Sequence, residues 1–360
     1  MFFDVLKKKF FKPTSFLGCD IGTTSIKIAE LTRSGDHVSL KNYALLESFG
    51  HFERANNVIQ ANDLKLSEQE TAHMLATLMK QGKFSTTRAV ASVPTFSSFI
   101  TVLEIPSMND EETAKAMSYQ IRQHIPLPLS DIAVDWIRVG QKEDDNGFIK
   151  QYILLVAIPN ETIERYRRIF KHAGLSLHAL EVEPLAYARS IVGSDVTPTL
   201  IVDIGARCTN ITALDQGFVK LNVQIDYAGD TLTNAVARGL GVGLRRAEEL
   251  KKQKGLMGGR GEYELSTLEI PFIDVILHEV EKARVECERL HGTKIERCLL
   301  IGGGANLMGI ENYTEKKIAL PTMLGNGLLF APAPQHLAVV ERELQTRFAL
   351  AVGLAIKGFM

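Results

Sequence analysis

Two short segments of the chain carry the same order of residue types. Residues 17–31 read LGCDIGTTSIKIAEL and residues 200–214 read LIVDIGARCTNITAL. In each segment an apolar run ends in Asp-Ile-Gly, and small polar residues lead into a second apolar run. Asp20 and Asp203 are 183 positions apart (203 − 20), and the glycines that follow keep this offset. A repeat at half-chain distance predicts two lobes of related topology.

Turns of this composition are suited to binding phosphate. Gly22 and Gly205 allow a tight backbone turn with exposed N–H groups, and threonine hydroxyls add donors. An aspartate repels phosphate, so we expect Asp20 and Asp203 to hold Mg²⁺ through water, with the metal bridging to the phosphates. Either copy alone could be a plain β-turn. Two matched copies predict two hairpins that grip one polyphosphate across a cleft.

A third glycine-rich turn lies in the second half, at residues 299–310, LLIGGGANLMGI. A buried strand runs into three glycines, and we expect a helix to start near Asn306. Triglycine permits a flat ring to approach the backbone closely, which favours a nucleotide base; a tight strand–helix turn is the alternative. The sequence contains no Walker A motif, and no GxGxxG follows a first strand, so P-loop and Rossmann sites are disfavoured.

The composition excludes several function classes. The chain has 360 residues and a mass of 39.8 kDa, with 45% hydrophobic residues, 23% charged residues and a formal net charge of -1. These values fit a core-forming protein of about two domains and give no basis for nucleic-acid binding. The four cysteines form no CxxC pair and no cluster with histidine. A zinc site or a disulfide scaffold is therefore not expected, and the reducing cytoplasm fits.

The termini and apolar runs give no sign of a membrane span. No apolar run approaches the roughly 18 residues that cross a bilayer. The start, MFFDVLKKKFFKP, lacks the features of a signal peptide. Residues 1–13 instead form a short basic amphipathic arm that could rest on an anionic membrane surface. The alternative is an arm that packs on the protein or stays free of it.

Strand and helix patterns place an inserted unit in the first half. Ser67 and Glu70 form a capping-box pattern that predicts a helix over residues 67–81, and residues 89–93 read as a strand. The pattern then changes to strand, helix, strand, strand, helix, at residues 99–105, 111–124, 132–139, 152–158 and 160–172. This order is typical of a compact αβ unit with its own sheet. We therefore predict an inserted subdomain, called the insert below, at about residues 95–172.

The second half continues with long helices. Apolar periodicity predicts helices at residues 229–239, 244–254, 272–291 and 347–359, and a strand at 297–301. We predict lobe I at residues 14–197 and lobe II at residues 198–340, with a small outer subdomain of lobe II at about 230–295. The segment 341–360 is expected to return to lobe I as a helix.

The ordered motifs resemble those of a known superfamily. Two Asp-Ile-Gly hairpins, a Glu-Pro helix start and a triglycine strand end are similar to the actin/Hsp70/sugar-kinase nucleotide-binding proteins. Within these, the spacing most resembles the branch of the cell-division protein FtsA and the type IV pilus assembly protein PilM family. The resemblance covers residues 16–359 and includes QIRQHIPLP, LHALEVEPLAYAR, YAGDTLTNAVARGLGVGLRRAEELK, GGGANLMGIENY and FALAVGLAIKG. It implies an α/β, two-lobed actin-like fold, a duplicated ribonuclease H-like fold, with an insert of the FtsA/PilM type in lobe I.

The resemblance implies catalytic and phosphate-binding roles. Asp20 and Asp203 would hold Mg²⁺ and act in catalysis. Glu183 would orient or deprotonate the water that attacks the γ-phosphate of ATP. Its alternative role is that of a glutamate favoured by the dipole at a helix N-terminus. The remaining phosphate-binding residues implied are Gly22, Thr23, Thr24, Lys27, Gly205 and Asn210.

The resemblance also implies an adenosine site. Glu248 and Lys251 match positions that hold the ribose and base, although a helical pair with this spacing is more often a solvated surface pair. The matching turn consists of Gly302, Gly303, Gly304 and Asn306. Arg207 and Cys208 replace the small polar residues that many relatives have in the second phosphate turn, which leaves the contacts of that turn open.

The implied function is that of an ATP-binding cytoplasmic scaffold in the inner-membrane platform of a type IV pilus. Its partner would be the cytoplasmic N-terminal peptide of a PilN-like membrane protein, held in a groove beside the insert. Residues 90–99 and 125–129 could line this groove or be ordinary core. Membrane association would be peripheral and come through the partner, other platform components would bind, and homo-oligomerisation is left open.

Three alternatives remain at this stage. A small-molecule kinase of the same superfamily would need an aspartate base and polar residues for an acceptor, and the sequence shows no convincing set. An FtsA-like cell-division protein would carry a C-terminal linker and amphipathic tail, which we do not expect here. A protein whose cleft binds no nucleotide is the third. Hydrolysis of ATP, if it occurs, is expected to be slow.

Overall fold

The computed structural model describes residues 14–47, 67–125, 127–143, 146–256 and 263–360. The predicted basic arm, residues 1–13, lies outside the described residues. The strands are Ser15–Ile21 (β1), Ser25–Ser34 (β2), His37–Glu47 (β3), Arg88–Val93 (β4), Phe99–Pro106 (β5), Ile132–Glu143 (β6), Ile149–Pro159 (β7), Ser176–Val182 (β8), Thr199–Ile204 (β9), Thr209–Asp215 (β10), Phe218–Ile225 (β11), Arg297–Ile301 (β12) and Thr322–Leu324 (β13).

The α-helices fall between these strands in an α/β order. They are Glu68–Gly82 (α1), Asp110–His124 (α2), Asn160–His172 (α3), Glu183–Ile191 (α4), Gly229–Leu240 (α5), Leu244–Lys254 (α6), Tyr263–His291 (α7), Ile310–Ile318 (α8), Glu341–Arg347 (α9) and Ala349–Lys357 (α10). Helix α1 begins with the predicted capping box, in which the side chains of Ser67 and Glu70 each accept the other's backbone N–H. In the part of the chain that the structure describes, no helix combines the length and the hydropathy needed to span a bilayer.

The two larger sheets have the same strand order. One runs β3-β2-β1-β4-β8 and the other runs β11-β10-β9-β12-β13. In both, the central strand pairs antiparallel with its hairpin partner and parallel with the strand on its other side. Asp20 lies opposite Lys27 and Asp203 lies opposite Asn210, which is the same step along both hairpins (27 − 20 = 210 − 203). The predicted duplication is therefore confirmed down to the strand register.

The insert has a small sheet of its own, with the order β5-β7-β6. Alternation along β7 gives this sheet two different faces. Ile153 and Leu155 pack into a separate core with Met117 of α2. Tyr152 and Leu154 instead belong to a buried cluster that includes residues of lobe II. The insert therefore has an independent core and also a buried face toward the second lobe.

Strand β1 requires a glycine where the last described helix crosses it. A Cβ on Gly18 would overlap the carbonyl oxygen of Ala351 in α10. On the other side of α10, a Cβ on Gly353 would overlap the carbonyl oxygen of Ala186 in α4. Residues 349–355 are all buried. Helix α10 thus lies in backbone contact with both β1 and α4, and it covers the face of the lobe I sheet opposite α1 and α3.

Two helical predictions were wrong in their bounds. Helix α7 begins at Tyr263 rather than at residue 272, and Pro271 lies inside it. Proline usually lies in the first turn of a helix, but Pro271 is tolerated here inside a long helix. The segment 341–360, predicted as one returning helix, contains two helices, α9 and α10, which meet at Phe348 with φ −104° and ψ 5°. The buried Phe348 ring fixes this bend in the lobe I core.

The close packing of α10 gives a stability prediction. Gly353→Ala is expected to lower the free energy of unfolding by about 2 kcal/mol or more, because the new methyl group must displace backbone of α4. Chemical denaturation followed by circular dichroism measures the change. Gly243→Ala is the matched control, since a Cβ at Gly243 meets no atom within 4 Å. Equal stability of the two variants would contradict the packing described here.

Candidate nucleotide site

The two phosphate-type turns have the same hydrogen bond. The N–H of Gly22 donates to the carbonyl oxygen of Ser25 at 3.0 Å, and the N–H of Gly205 donates to that of Cys208 at 3.1 Å. Both donor–acceptor pairs keep the 183-residue offset (205 − 22, 208 − 25). The turns therefore have one backbone geometry, although the residues between glycine and acceptor differ. Cys208 contributes its carbonyl to this turn, so its unusual side chain does not alter the backbone.

Acidic side chains from both lobes converge beside these turns. Asp20 is 4% exposed and forms an ion pair with Lys27 across the hairpin, at 2.7 Å between Nζ and Oδ2. Burial raises the pKa of Asp203 to about 6; the Lys27 ammonium opposes this rise and the Asp20 charge adds to it. The charges of both hairpins thus act on one another, as expected of two turns that face each other. The Lys27 ammonium therefore pairs with Asp20 and also acts on Asp203 through its charge.

Glu183 adds a third carboxylate at the same place. It is the first residue of α4, and its Oε2 accepts from the N–H of Thr95 at 3.2 Å and from the Thr95 hydroxyl at 3.0 Å. The side-chain amide of Asn210 donates to the same oxygen at 3.0 Å. Burial, followed by the charges of Asp203 and Asp20, raises the pKa of Glu183 to about 8. Glu183 is therefore positioned from both lobes, beyond the role of an ordinary helix N-terminal residue.

The triglycine turn closes around the second aspartate. Gly302 has φ +83°, and a Cβ there would overlap Oδ1 of Asp203. A Cβ on Gly304 would overlap the side chain of Ile204, whereas a Cβ on Gly303 meets no atom within 4 Å. Gly302 and Gly304 are thus required by the fold, and Gly303 leaves open space beside the turn. A planar ring could approach the backbone at Gly303.

Asn306 anchors this turn. Its side-chain amide donates to the Thr346 hydroxyl at 2.8 Å and to the carbonyl oxygen of Gly302 at 3.4 Å. The residue lies in a 3₁₀ turn at Gly304–Asn306, and the next α-helix begins only at Ile310. The expected helix start near Asn306 was therefore wrong. Asn306 holds the triglycine turn in place through these two hydrogen bonds.

Glu248 and Lys251 form a partly buried pair, unlike the solvated pair that was the alternative. Their charged atoms are 2.6 Å apart, and Lys251 is 9% exposed. The Lys251 ammonium also donates to the Thr233 hydroxyl at 2.8 Å and to the carbonyl oxygen of Gly229 at 3.0 Å. The N–H of Gly229 in turn donates to the carbonyl oxygen of Gly205 at 3.1 Å. The pair is thereby connected to the second phosphate turn.

A cavity of about 470 Å³ opens beside the two turns. Thr23 of the first turn and Arg207 and Cys208 of the second line it, together with Phe96 at the entry to the insert. Thr24 has contacts of its own and does not line this cavity. Sequence reasoning did not identify Thr95 as a site residue, although its position directly after Pro94 at the end of β4 could have indicated it.

The residues fit a magnesium–phosphate group. Oδ1 of Asn210 is buried and has no hydrogen-bond partner among the described residues. Asp20 and Asp203 supply the carboxylate oxygens that Mg²⁺ prefers. Over the described ranges, no group of three His, Cys, Asp or Glu side chains is arranged to hold a metal.

The segments expected to line a peptide groove differ in exposure. Val90 and Val93 of β4 are 1% and 0% exposed, so they belong to the core. Ile125 is also buried, in the core of the insert. Leu127 and Leu129 are 46% and 43% exposed. The outer part of residues 125–129 is thus accessible at the surface of the insert, and β4 is not.

Comparisons with known proteins agree with this architecture. A family model described as type IV pilus assembly protein PilM matches residues 18–359. The cell division protein FtsA of Neisseria meningitidis is 22% identical over 277 residues, which are 68% of this chain and 64% of that protein. The chain therefore spans less than two thirds of this relative. Two solved structures with the same fold are similar to it at low sequence identity.

The first is described as the PilM-PilN type IV pilus biogenesis complex, with a TM-score of 0.79 at 19% identity, covering 96% of this chain and 98% of that chain. The second is MreB5 of Spiroplasma citri bound to AMPPNP, with a TM-score of 0.55 at 13% identity, covering 96% of each chain. The duplicated sheets and paired turns are those of an actin-like protein. Since the family model matches nearly the whole chain, the protein belongs to the type IV pilus assembly protein PilM family, and it has an actin-like fold.

Proposed function

We propose that this protein is an ATP-binding scaffold at the cytoplasmic face of the inner membrane, in the platform that assembles a type IV pilus. The main support for the nucleotide site is that the two turns have the same backbone hydrogen bond. Asp20, Asp203 and Glu183 converge between them. Family membership carries the pilus role. Nucleotide-bound MreB5 shares the fold, which supports the same use of the cleft.

Different groups of the chain would bind different parts of Mg·ATP. Backbone N–H groups of the two turns and the Thr23 hydroxyl would bind phosphate oxygens. Asp20 and Asp203 would bind Mg²⁺ through water, and the metal supplies the positive charge that lets carboxylates and phosphates share one site. Gly303 would receive the base, and Glu248 with Lys251 would bind the ribose. This arrangement closes the lobes around the nucleotide.

Glu183 is the residue proposed to orient the attacking water. Its Oε2 already accepts three hydrogen bonds, which fixes the carboxyl group and leaves Oε1 for a water molecule. The raised pKa keeps most of Glu183 protonated near neutral pH when no nucleotide is bound. Nothing in the site argues for fast turnover, so slow hydrolysis is expected. ATP would act mainly as a ligand that sets the conformation.

The proposed partner is the cytoplasmic N-terminal peptide of a PilN-like membrane protein. The solved PilM-PilN complex has this fold, and the insert of the present chain exposes Leu127 and Leu129. Binding of such a peptide would hold the protein peripherally at the membrane. Other platform components and copies of this chain are further proposed partners. The peptide of the PilN-like protein from the same organism is the probe for the first of these.

Loss of one site aspartate tests the nucleotide site. Asp203→Asn is expected to weaken Mg·ATP binding at least about tenfold, because the metal loses one carboxylate. Isothermal titration calorimetry with ATP, with and without Mg²⁺, measures this. Asp36→Asn makes the same charge change in an exposed turn and should bind like the wild type. A flat titration of the wild type would refute the nucleotide site, and acceptor-dependent ADP formation would favour a kinase.

Peptide binding tests the scaffold role. The wild type is expected to bind the N-terminal PilN-like peptide, and Leu127→Ser with Leu129→Ser should weaken this binding about tenfold, because the apolar contact is lost. Fluorescence anisotropy of a labelled peptide measures the affinity. Val339→Ser removes a side chain that is 97% exposed elsewhere and serves as the control. No binding by the wild type would remove the proposed partner.

The raised pKa of Glu183 gives a pH-dependent prediction. The folded protein keeps this proton up to a pKa of about 8, whereas the unfolded chain releases it near the ordinary glutamate pKa of 4.5. Stability without nucleotide should therefore fall as pH rises between these values, and Glu183→Gln removes this loss. The Tm of the variant relative to the wild type should be about 2 °C or more higher at pH 8 than at pH 5.5.

The control for this measurement is Glu111→Gln, at an exposed glutamate of α2. Its Tm difference from the wild type should stay the same at both pH values. Glu183→Gln should also keep Mg·ATP binding and lose hydrolysis. A pH-independent Tm difference for Glu183→Gln would mean that this carboxyl group does not titrate in the raised range.

A further inference from the structure

Two lysines cross the contact between the insert and lobe II in opposite directions. Lys220 of β11 extends from lobe II, and its ammonium donates to the carbonyl oxygen of Val139 in the insert at 2.6 Å. Lys142 of β6 extends from the insert and donates to the carbonyl oxygen of His291, the last residue of α7, at 2.9 Å. Each lobe thus supplies one donor and one acceptor. We call these two contacts the lysine latch.

A glycine stands beside each acceptor carbonyl. A Cβ on Gly140 would lie 2.6 Å from the Lys220 ammonium, and one on Gly292 would lie 2.5 Å from the Lys142 ammonium. Both glycines have positive φ, +146° and +66°. The β6–β7 ladder shifts register between residues 138 and 140, so that Val139 is not paired in the ladder and its carbonyl accepts from Lys220. At both contacts, the missing Cβ of the glycine leaves room for the lysine ammonium.

The Lys220 contact of the latch is buried, whereas Lys142 is an exposed side chain. Lys220 is 6% exposed, and its ammonium lies 5.1 Å from the centre of the Tyr152 ring. That ring packs edge-on against His291 at 5.0 Å. Burial of Lys220 without a carboxylate partner is costly unless its donors are used, so the carbonyl and the ring are needed to hold it there. Tyr152 and Leu154 also share an apolar cluster with Val219 of β11.

The insert is joined to lobe I in a different way. The chain enters the three-stranded sheet of the insert after Pro94 and leaves it at Pro159, directly before α3, which packs against the lobe I sheet. At the entry, Thr95 donates twice to Glu183, and Asn210 of lobe II donates to the same carboxyl oxygen. One end of the insert is therefore bonded to the proposed water-orienting residue. The far side is bonded to lobe II through the latch.

We propose that lobe II carries the insert with it, through the lysine latch, when the lobes close on a nucleotide. This deepens the proposed function and rests on it. Thr95 adds a direct link from the insert to Glu183 at the γ-phosphate side of the site. The insert therefore changes its position relative to the lobe I sheet in response to the nucleotide. The affinity of the outer surface of the insert for peptide then depends on whether a nucleotide is bound in the cleft.

The test compares two double variants of the full chain. Lys142→Met with Lys220→Met removes the latch. Lys115→Met with Lys282→Met removes one exposed lysine from the insert and one from lobe II, and is the matched control. Calorimetry gives the affinity for Mg·ADP and Mg·ATP. Anisotropy gives the affinity for the N-terminal PilN-like peptide with and without nucleotide, and hydrogen exchange reports on β6 and β11.

In the wild type and the control, saturating Mg·ATP is expected to change peptide affinity by about fivefold or more, the usual lower range for coupled sites. In the latch variant this change should fall below about twofold, while nucleotide affinity stays within about twofold of wild type. Exchange near Val139 and Lys220 should be slow in the wild type with and without nucleotide, and at least about tenfold faster in the latch variant. Thr95→Val should reduce the effect of nucleotide on peptide affinity with the latch intact.

Two results would overturn the proposal. One is a latch variant that keeps the full effect of nucleotide on peptide binding. The other is loss of protection near Val139 in the wild type when nucleotide binds, because the contact would then open on closure. Failure of the wild type to bind nucleotide would instead refute the proposed function, and the exchange comparison without nucleotide still tests the latch. If the double variant does not fold, Lys142→Met alone removes the contact with His291 at an exposed lysine. It should reduce the effect of nucleotide on peptide affinity, and an unchanged effect would overturn the proposal.

Discussion

Repulsion among three carboxylates is the constraint on which the centre of this molecule depends. Asp20, Asp203 and Glu183 come from separate elements, and Lys27 is the ammonium that acts on both aspartates. The protein responds by protonation and by hydrogen bonds, since burial and mutual charge raise the pKa of Asp203 and of Glu183. In the function that we propose, a divalent cation would satisfy the same excess of negative charge, and the cleft would favour a metal-bound polyphosphate over either component alone.

The parts of the site that were predictable are those encoded within a few residues. The Asp-Ile-Gly turns, their common offset and the facing positions of Lys27 and Asn210 follow from hairpin geometry, which depends on local residue types. The triglycine end of β12 was identified for the same reason. Most strands and helices were also predicted, but β3, β8, β11 and β13 were not. Bounds were not, because apolar periodicity does not register charged ends of strands, such as residues 140–143 of β6.

The remaining features depend on contacts between distant segments. Thr95 and Glu183 are 88 positions apart, and Lys220 and Val139 are 81 apart. A lysine in a sequence reads as a solvated residue, and nothing local shows that Lys220 or Lys251 is buried. Their burial follows from where helices and strands meet in three dimensions. The positions of the candidate site residues were therefore inferable from motifs, and the links between the site and the insert were not.

The position of α10 has a consequence for biosynthesis. Strand β1, which ends in the first site aspartate, is packed against a helix whose residues are translated more than 300 positions later, as the Gly18–Ala351 contact shows (351 − 18). Most of the lobe II sheet comes from one continuous stretch and can assemble on the ribosome. The face of the lobe I sheet that α10 covers stays uncovered until α10 has been translated and leaves the ribosome. During translation that bare face is the surface most in need of a chaperone.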